Sequence, residues 1–382
     1  MRALKNTMNA ARTFQVALML LMFLSALAFS LHSCGGPYHQ EEVYWTGSPT
    51  GAGNSSTGGS NSSSGSISTL ASGLRSPASI ALYGDYVYWS DYYDHKVYRV
   101  SKTGGSVETI CSAGIKYPLY ICINEAFVYI AEADPTKPDQ GVNAIKRIGV
   151  NGTGTVSALY SSLFFVGGID VDLNNVYWTE RSTIIGTVNQ AAKNGNGSVI
   201  NLVSGLKRPG ALTVRNSNIY YVEGGSSTDG ILSASDGSMR KIAAGGGSGL
   251  ILATNLNYPS SVSASSLNVF FSEAGSFTGS TTLGSIRKTI INQAGSLSVL
   301  SGLNRVTDIF YDNSNYSIYF SESDGTSNAT GYLKKVGTDG SSVTIIADSQ
   351  SDPGEMETDD AYVYWIQANW SGSEGKIMKA GK

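Results

Sequence analysis

The sequence predicts an all-β chain: a seven-bladed β-propeller of four-stranded antiparallel blades, closed by an N-terminal strand. Three observations lead there. A short aromatic strand ending in an acid recurs seven times, its second position stepping from residue 89 to residue 365 in six intervals, a mean period of 46 residues. A period of about 40–50 residues marks propellers and solenoids. Gly at 45, Tyr at 22 and charged residues at only 14% favour strands and tight turns over solvated helices. Dipeptides that supply positive φ (Gly104-Gly105, Asn151-Gly152, Asn196-Gly197, Asp339-Gly340) punctuate the repeats where hairpins belong.

The recurring strand reads Tyr88-Trp89-Ser90-Asp91, Tyr129-Ile130-Ala131-Glu132, Tyr177-Trp178-Thr179-Glu180 and Tyr220-Tyr221-Val222-Glu223. It continues as Phe270-Phe271-Ser272-Glu273, Tyr319-Phe320-Ser321-Glu322 and Tyr364-Trp365-Ile366-Gln367. Before it, a connector such as Gly73-Leu74-Arg75-Ser76-Pro77 leads into an alternating apolar strand, Ile80-Ala81-Leu82 in the first repeat. After it come a third strand carrying a base, as in Val97-Tyr98-Arg99, then a hairpin, then a fourth strand such as Val107-Glu108-Thr109-Ile110. A fourth-type strand, Ile67 to Ala71, precedes the first full set, and the chain stops at Lys382 just after a third strand. The first strand is therefore expected to complete the last blade and remove an exposed edge. At about 150 residues per domain the length of 382 would suggest two domains, but the repeats make residues 67–382 one unit.

The Tyr-Trp-Ser-Asp and Tyr-Trp-Thr-Glu strands resemble the YWTD propeller repeats of lipoprotein-receptor ectodomains and their bacterial relatives. Only Trp89, Trp178 and Trp365 keep the Trp, and seven sets stand here where that family has six blades. The resemblance implies an extracytoplasmic protein-binding or structural module, and it carries over no catalytic residue.

Residues 1–33 read as an export signal: Arg2, Lys5 and Arg12 precede an apolar run from Phe14 to Leu31. The run ends in Leu31-His32-Ser33-Cys34-Gly35, which resembles a bacterial lipobox with His32 in an unusual place; ordinary secretion and an uncleaved anchor are the alternatives. Lipidation at Cys34 would anchor the chain to the membrane, in the bacterial cell envelope, periplasmic or surface-exposed. Residues 34–46 form a lipidated segment in which Glu41 to Trp45 resembles an isolated strand, and residues 47–66 are a Gly/Ser-rich flexible tether. Without the signal, 23 basic residues stand against 29 acidic ones, a net of −6. That balance excludes a nucleic-acid surface. His39 and His95 alone cannot build a three-His metal site and make a Ser-His-Asp triad a poor bet.

Charges in step with the repeat are expected to serve its construction. The acids Asp91, Glu132, Glu180, Glu223, Glu273 and Glu322, with the third-strand bases Arg99, Arg147, Lys241, Lys288, Lys335 and Lys379, should form a structural ring of paired groups between blades. A ring of carboxylates around a ligand is the sharper alternative. Residues outside the repeat are better site candidates, because variable loops on a rigid scaffold carry binding. The connectors bring Arg75, Lys116, Tyr117, Lys207, Arg208, Tyr258 and Arg305 to one face, with insertions at 133–143, 224–237 and 274–284. This basic, aromatic face suits an envelope protein or a glycan, unless its residues are plain solvated connectors.

Inner strands carry Asp170, Asp172, Asp308, Glu355 and Glu357 near the central channel. Asp170, Asp308 and Glu357 are weak candidates for a metal, for which Ca²⁺ is the hard cation they would suit; no other cofactor is implied. The same carboxylates could serve a carbohydrate-active hydrolase or lyase, the runner-up function. Cys111 and Cys122 could form a disulfide after export, or be two small core residues. The reading is thus a monomeric, lipid-anchored binding or scaffold module, more a binder than an enzyme.

Overall fold

The computed structural model describes residues 66–382 apart from 135, 138–139, 183–185, 226, 229–230, 233–235, 275–282, 324–329 and 369–373. The expected export signal, Cys34 and all but the last residue of the expected tether lie outside the described residues, as do parts of all three long insertions. Seven four-stranded antiparallel sheets make a seven-bladed all-β propeller. Six blades run in plain sequence order, the first being Pro77–Tyr83, Tyr86–Asp91, Lys96–Ser101 and Glu108–Cys111. The inner strands of the others are Pro118–Asn124, Phe165–Val171, Pro209–Arg215, Pro259–Ala264, Arg305–Asp312 and Pro353–Thr358. A two-stranded hairpin, Ser227–Thr228 with Ile231–Leu232, stands on the fourth blade's loop.

Closure follows the predicted route. Ser68–Leu74 pairs antiparallel with Gly375–Gly381, in the register Ser68↔Lys379, Ala71↔Ile377 and Leu74↔Gly375. The last blade thus takes its outer strand from the start of the chain, and both ends are tied by one ladder.

The aromatic repeat explains itself in the packing. Side chains alternate across a strand, so the first two residues of each motif face opposite blades. Seven buried clusters result, each joining the first motif residue of one blade to the second of the next: Tyr88 with Ile130, Tyr129 with Trp178, Tyr177 with Tyr221 and Tyr220 with Phe271. Phe270 with Phe320, Tyr319 with Trp365 and Tyr364 with Trp89 complete the circle. All fourteen side chains are essentially without solvent exposure. Aromatic burial of this size dominates core energetics, so the ring is held chiefly by these seven interfaces.

Glycine is required where a third strand starts beside the next blade's proline. A Cβ at Gly375 would stand 2.6 Å from Pro77 Cδ, and one at Gly237 2.6 Å from Pro259 Cδ. Each inner strand also shifts register near its start, as between Pro77 and Ser79 opposite Asp91 and Ser90. Such bulges re-aim the chain at a blade's end, here on the face where connectors and second-to-third-strand loops meet.

Candidate binding face

The connector face is assembled from backbone upward. The residue before each inner strand's Pro or its equivalent forms the rim of the channel mouth: Ser76, Tyr117, Phe165, Arg208, Tyr258, Arg305 and Asp352. Four of them adopt positive φ: Tyr117 at 48°, Arg208 at 53°, Tyr258 at 51° and Asp352 at 41°. Side-chain-bearing residues reach that region only when the surroundings over-determine it. Here the rim carbonyls accept from the residue that follows the motif acid: Tyr92 N–H to Ser76 O at 2.8 Å, Ala133 to Tyr117 at 3.1 Å, Gly224 to Arg208 at 3.0 Å and Ala274 to Tyr258 at 3.0 Å.

The motif acids supply the second restraint. Asp91 accepts from the Arg75 and Ser76 backbone N–H groups, each at 3.1 Å. Glu132 accepts Lys116 N–H at 2.5 Å, Glu223 accepts Lys207 N–H at 3.3 Å, Glu273 accepts Asn257 N–H at 2.7 Å and Glu322 accepts Asn304 N–H at 2.7 Å. Each carboxylate therefore clamps the connector entering its own blade. Four of them also hold a cation from the third strand: Lys146 on Glu132 (2.7 Å), Arg240 on Glu223 (2.5 Å), Arg287 on Glu273 (3.3 Å) and Lys334 on Glu322 (2.7 Å). Glu180 differs, accepting the Trp178 indole N–H at 3.2 Å, and Gln367 bonds Gln350.

The lattice expected between blades divides in two. The cations that meet the acids are the residues one position before the expected bases, because adjacent strand residues face opposite ways. Five of the six expected bases point to the following blade instead: Arg99 donates to Val150 O at 3.1 Å, Arg147 to Lys193 O at 2.9 Å, Lys288 to Thr338 O at 2.7 Å and Lys379 to Lys102 O at 2.8 Å. Lys241 reaches Asn292 Oδ1 in the same sense. The dibasic pairs Lys146-Arg147, Arg240-Lys241, Arg287-Lys288 and Lys334-Lys335 were the sequence signal for this double duty.

The channel carboxylates have a third role. The inner edge of each blade has no strand partner, so its N–H groups need acceptors. The preceding blade supplies them: Ser79 Oγ accepts Ile121 N–H (3.1 Å), Ser261 Oγ accepts Ile309 N–H (3.3 Å) and Ser263 Oγ accepts Tyr311 N–H (3.0 Å). Asp170 accepts Val214 N–H (2.8 Å), Asp308 accepts Met356 N–H (3.0 Å) and Glu355 accepts Ile80 N–H (3.2 Å) in the same way. Burial raises Asp308 to about 7 and pushes Glu355 and Glu357 well above the usual carboxylate range, with Asp308 acting on both as the next cause. Glu355 Oε1 and Glu357 Oε2 are buried without a hydrogen-bond partner. Among the described residues no three His, Cys, Asp or Glu side chains are placed to hold a metal.

On the exposed side of the rim, Arg75 lies against Asp94 and over the Tyr93 ring, and Lys207 meets Asp236 at 3.6 Å, both well exposed. Tyr117 packs edge-on to His95 with centroids 4.6 Å apart, and its N–H donates to His95 Nδ1. Lys116 is exposed, Tyr258 is nearly covered, and Arg208 and Arg305 are partly exposed. Burial lowers Arg208 to about 10 and lowers Arg305 in the same direction. Arg181, which the sequence reading did not single out, joins them there, and burial lowers its pKa as well. Cys111 and Cys122 are free thiols in two different buried clusters, so the bridge left open by the sequence is not formed.

No family model and no curated protein matches the chain. Solved structures match in fold. Virginiamycin B lyase from Staphylococcus aureus is 12% identical with a TM-score of 0.61, covering 83% of this chain and 98% of that one. U3-55K is 9% identical with a TM-score of 0.61 over the same shares. A chain of a nidogen/laminin complex is 18% identical with a TM-score of 0.46, covering 59% of this chain and 79% of that one. The likeness is one of fold.

Proposed function

We propose that the protein is a lipid-anchored, extracytoplasmic binding module whose connector face captures an acidic envelope protein or glycan. The observation that carries this is the rim itself. Arg208, Arg305, Tyr117 and Tyr258 stand at the channel mouth on backbone fixed by rim hydrogen bonds and motif carboxylates. Preorganised Arg and aromatic groups are the residue types that dominate binding surfaces. The YWTD-like strands fit the same reading, as repeats of an extracytoplasmic binding propeller with one blade more than that family has. Cys34 is the proposed lipid anchor, and the Gly/Ser-rich residues 47–66 are the proposed tether.

A catalytic reading through the channel acids draws less support, since Asp170, Asp308 and Glu355 already accept backbone N–H groups from the next blade. Affinity capture from envelope extracts tests the proposal. A partner held by the wild-type chain should be lost when Arg75, Lys207, Arg208 and Arg305 are changed to Glu, and equal recovery by both proteins would reject the face.

A further inference from the structure

The corner of the mouth between the third and fourth blades differs from the rest of the rim. Inner strands Phe165–Val171 and Pro209–Arg215 approach there through glycine: a Cβ at Gly167 would lie 2.7 Å from Pro209 O and 3.3 Å from Gly210 Cα, and one at Gly168 3.1 Å from Gly210 O. Thr179 Oγ1 donates to Gly210 O at 2.6 Å and fixes the approach. Two arginines are brought to this corner. Arg181 is the register partner of Phe165 and lies over its ring, 4.5 Å from the centroid. Arg208 immediately precedes Pro209, with its carbonyl held by Gly224 N–H.

The carboxylates around them are engaged elsewhere. Glu180 holds the Trp178 indole, Glu223 holds Arg240 and the Lys207 N–H, and Asp236 meets Lys207. Among the described residues no carboxylate pairs with Arg181 or Arg208, and neither side chain has a hydrogen-bond acceptor. Each guanidinium carries five donors in a planar fork. Two like charges set together in a partly desolvated corner favour an anion between them. Burial first, and then the Arg181 charge, act on Arg208 in the same sense.

We propose that Arg181 and Arg208 form a binding site for one oxyanion, the carboxylate, sulfate or phosphate group of a ligand presented at the channel mouth. This deepens the binding-face reading and rests on it for the ligand's source. The probes are sodium glucuronate, sulfate and phosphate, titrated into the whole purified chain against sodium chloride at matched ionic strength. Calorimetry and the melting temperature are the readouts. At least one oxyanion should bind and raise the melting temperature, by mass action on the folded state. The probe that binds best identifies the group.

Arg181→Gln and Arg208→Gln should each weaken that affinity about tenfold or more, the scale of one charged hydrogen bond. Removing one of two repelling charges should leave the ligand-free melting temperature equal to or above wild type, which a merely structural role would not do. Arg208→Lys keeps the charge but not the fork, and should also lose affinity, which covers the case of a Gln variant that folds poorly. Binding of no oxyanion beyond chloride, or unchanged affinity in the variants, would overturn the site. Arg181 is not among the four residues reversed in the capture experiment. A null titration with capture still lost in the reversal rejects this site and leaves the face standing, while the opposite pair of results does the reverse.

Discussion

The Asp308 carboxylate accepts the Met356 backbone N–H at 3.0 Å across the boundary between the sixth and seventh blades, while its other oxygen accepts the Ser261 hydroxyl at 2.7 Å from the fifth. One side chain thus joins three blades. Burial raises it to about 7 against these hydrogen bonds. The folded chain keeps this proton where the unfolded chain, at about 3.9, has released it. Its stabilising contribution is therefore full below about pH 4 and fades as pH rises toward 7. Asp308→Asn should flatten that window in urea unfolding, raising stability at pH 7.5 by up to about 4 kcal/mol. Parallel pH profiles for wild type and variant would show that Asp308 does not titrate in this way.

Glu357 is pushed upward by burial, then by Asp308 and Asp170, and one of its oxygens has no partner. Glu357→Gln should therefore raise stability at neutral pH and change it little near pH 3, where the acid is protonated in both states. Chemical denaturation at the two pH values checks the sign.

The motif acids act through the connectors they clamp. Glu132 holds both the Lys116 N–H and the Lys146 ammonium. Glu132→Ala should cost about 2–4 kcal/mol, and Lys146→Ala, which strands a buried carboxylate, a similar amount. Glu132→Gln keeps an acceptor for the connector and should cost less than either. Melting curves of the three variants decide whether the clamp or the ion pair is the larger part.

Packing, closure, thiol state and anchoring give four further checks. Trp178→Ala removes one half of the Tyr129–Trp178 interface and should cost about 3–5 kcal/mol. A chain beginning at Ser76 lacks the strand that pairs with Gly375–Gly381 and should self-associate through that edge, seen by light scattering. Cys111, raised to about 11 by burial, and Cys122 should react with a thiol reagent only after unfolding. Cys34→Ala should move the protein from the membrane fraction to the soluble one if Cys34 is the lipid anchor.

The architecture was legible because each blade repeats one pattern, so that Tyr88-Trp89 and its copies announce strand, period and number together. Closure by Ser68–Leu74 was legible from where the strand count starts and stops. The site was less so. Which of Lys146 and Arg147 meets Glu132 depends on which face of the strand each occupies, and that is not visible in the recurrence of the base alone. Arg181 lies at the end of a motif strand, outside the connectors, where no repeat signal marks it. Its place at the mouth depends on the register Phe165↔Arg181 and on how closely Gly167 and Gly210 let two blades approach. The roles of Asp170, Asp308 and Glu355 depend on N–H groups in a neighbouring blade, which are close in space and more than forty residues away in sequence.

The connector face, and not the opposite one, is proposed to hold the partner. The direct measurement is quantitative capture from envelope extract by three proteins: wild type, the connector-face reversal of Arg75, Lys207, Arg208 and Arg305 to Glu, and an opposite-face reversal of the exposed Asp85 and Asp339 to Lys. A partner should be retained by wild type and by the opposite-face variant, and lost from the connector-face variant with its melting temperature intact. Equal recovery by all three, or loss confined to the opposite-face variant, would contradict it.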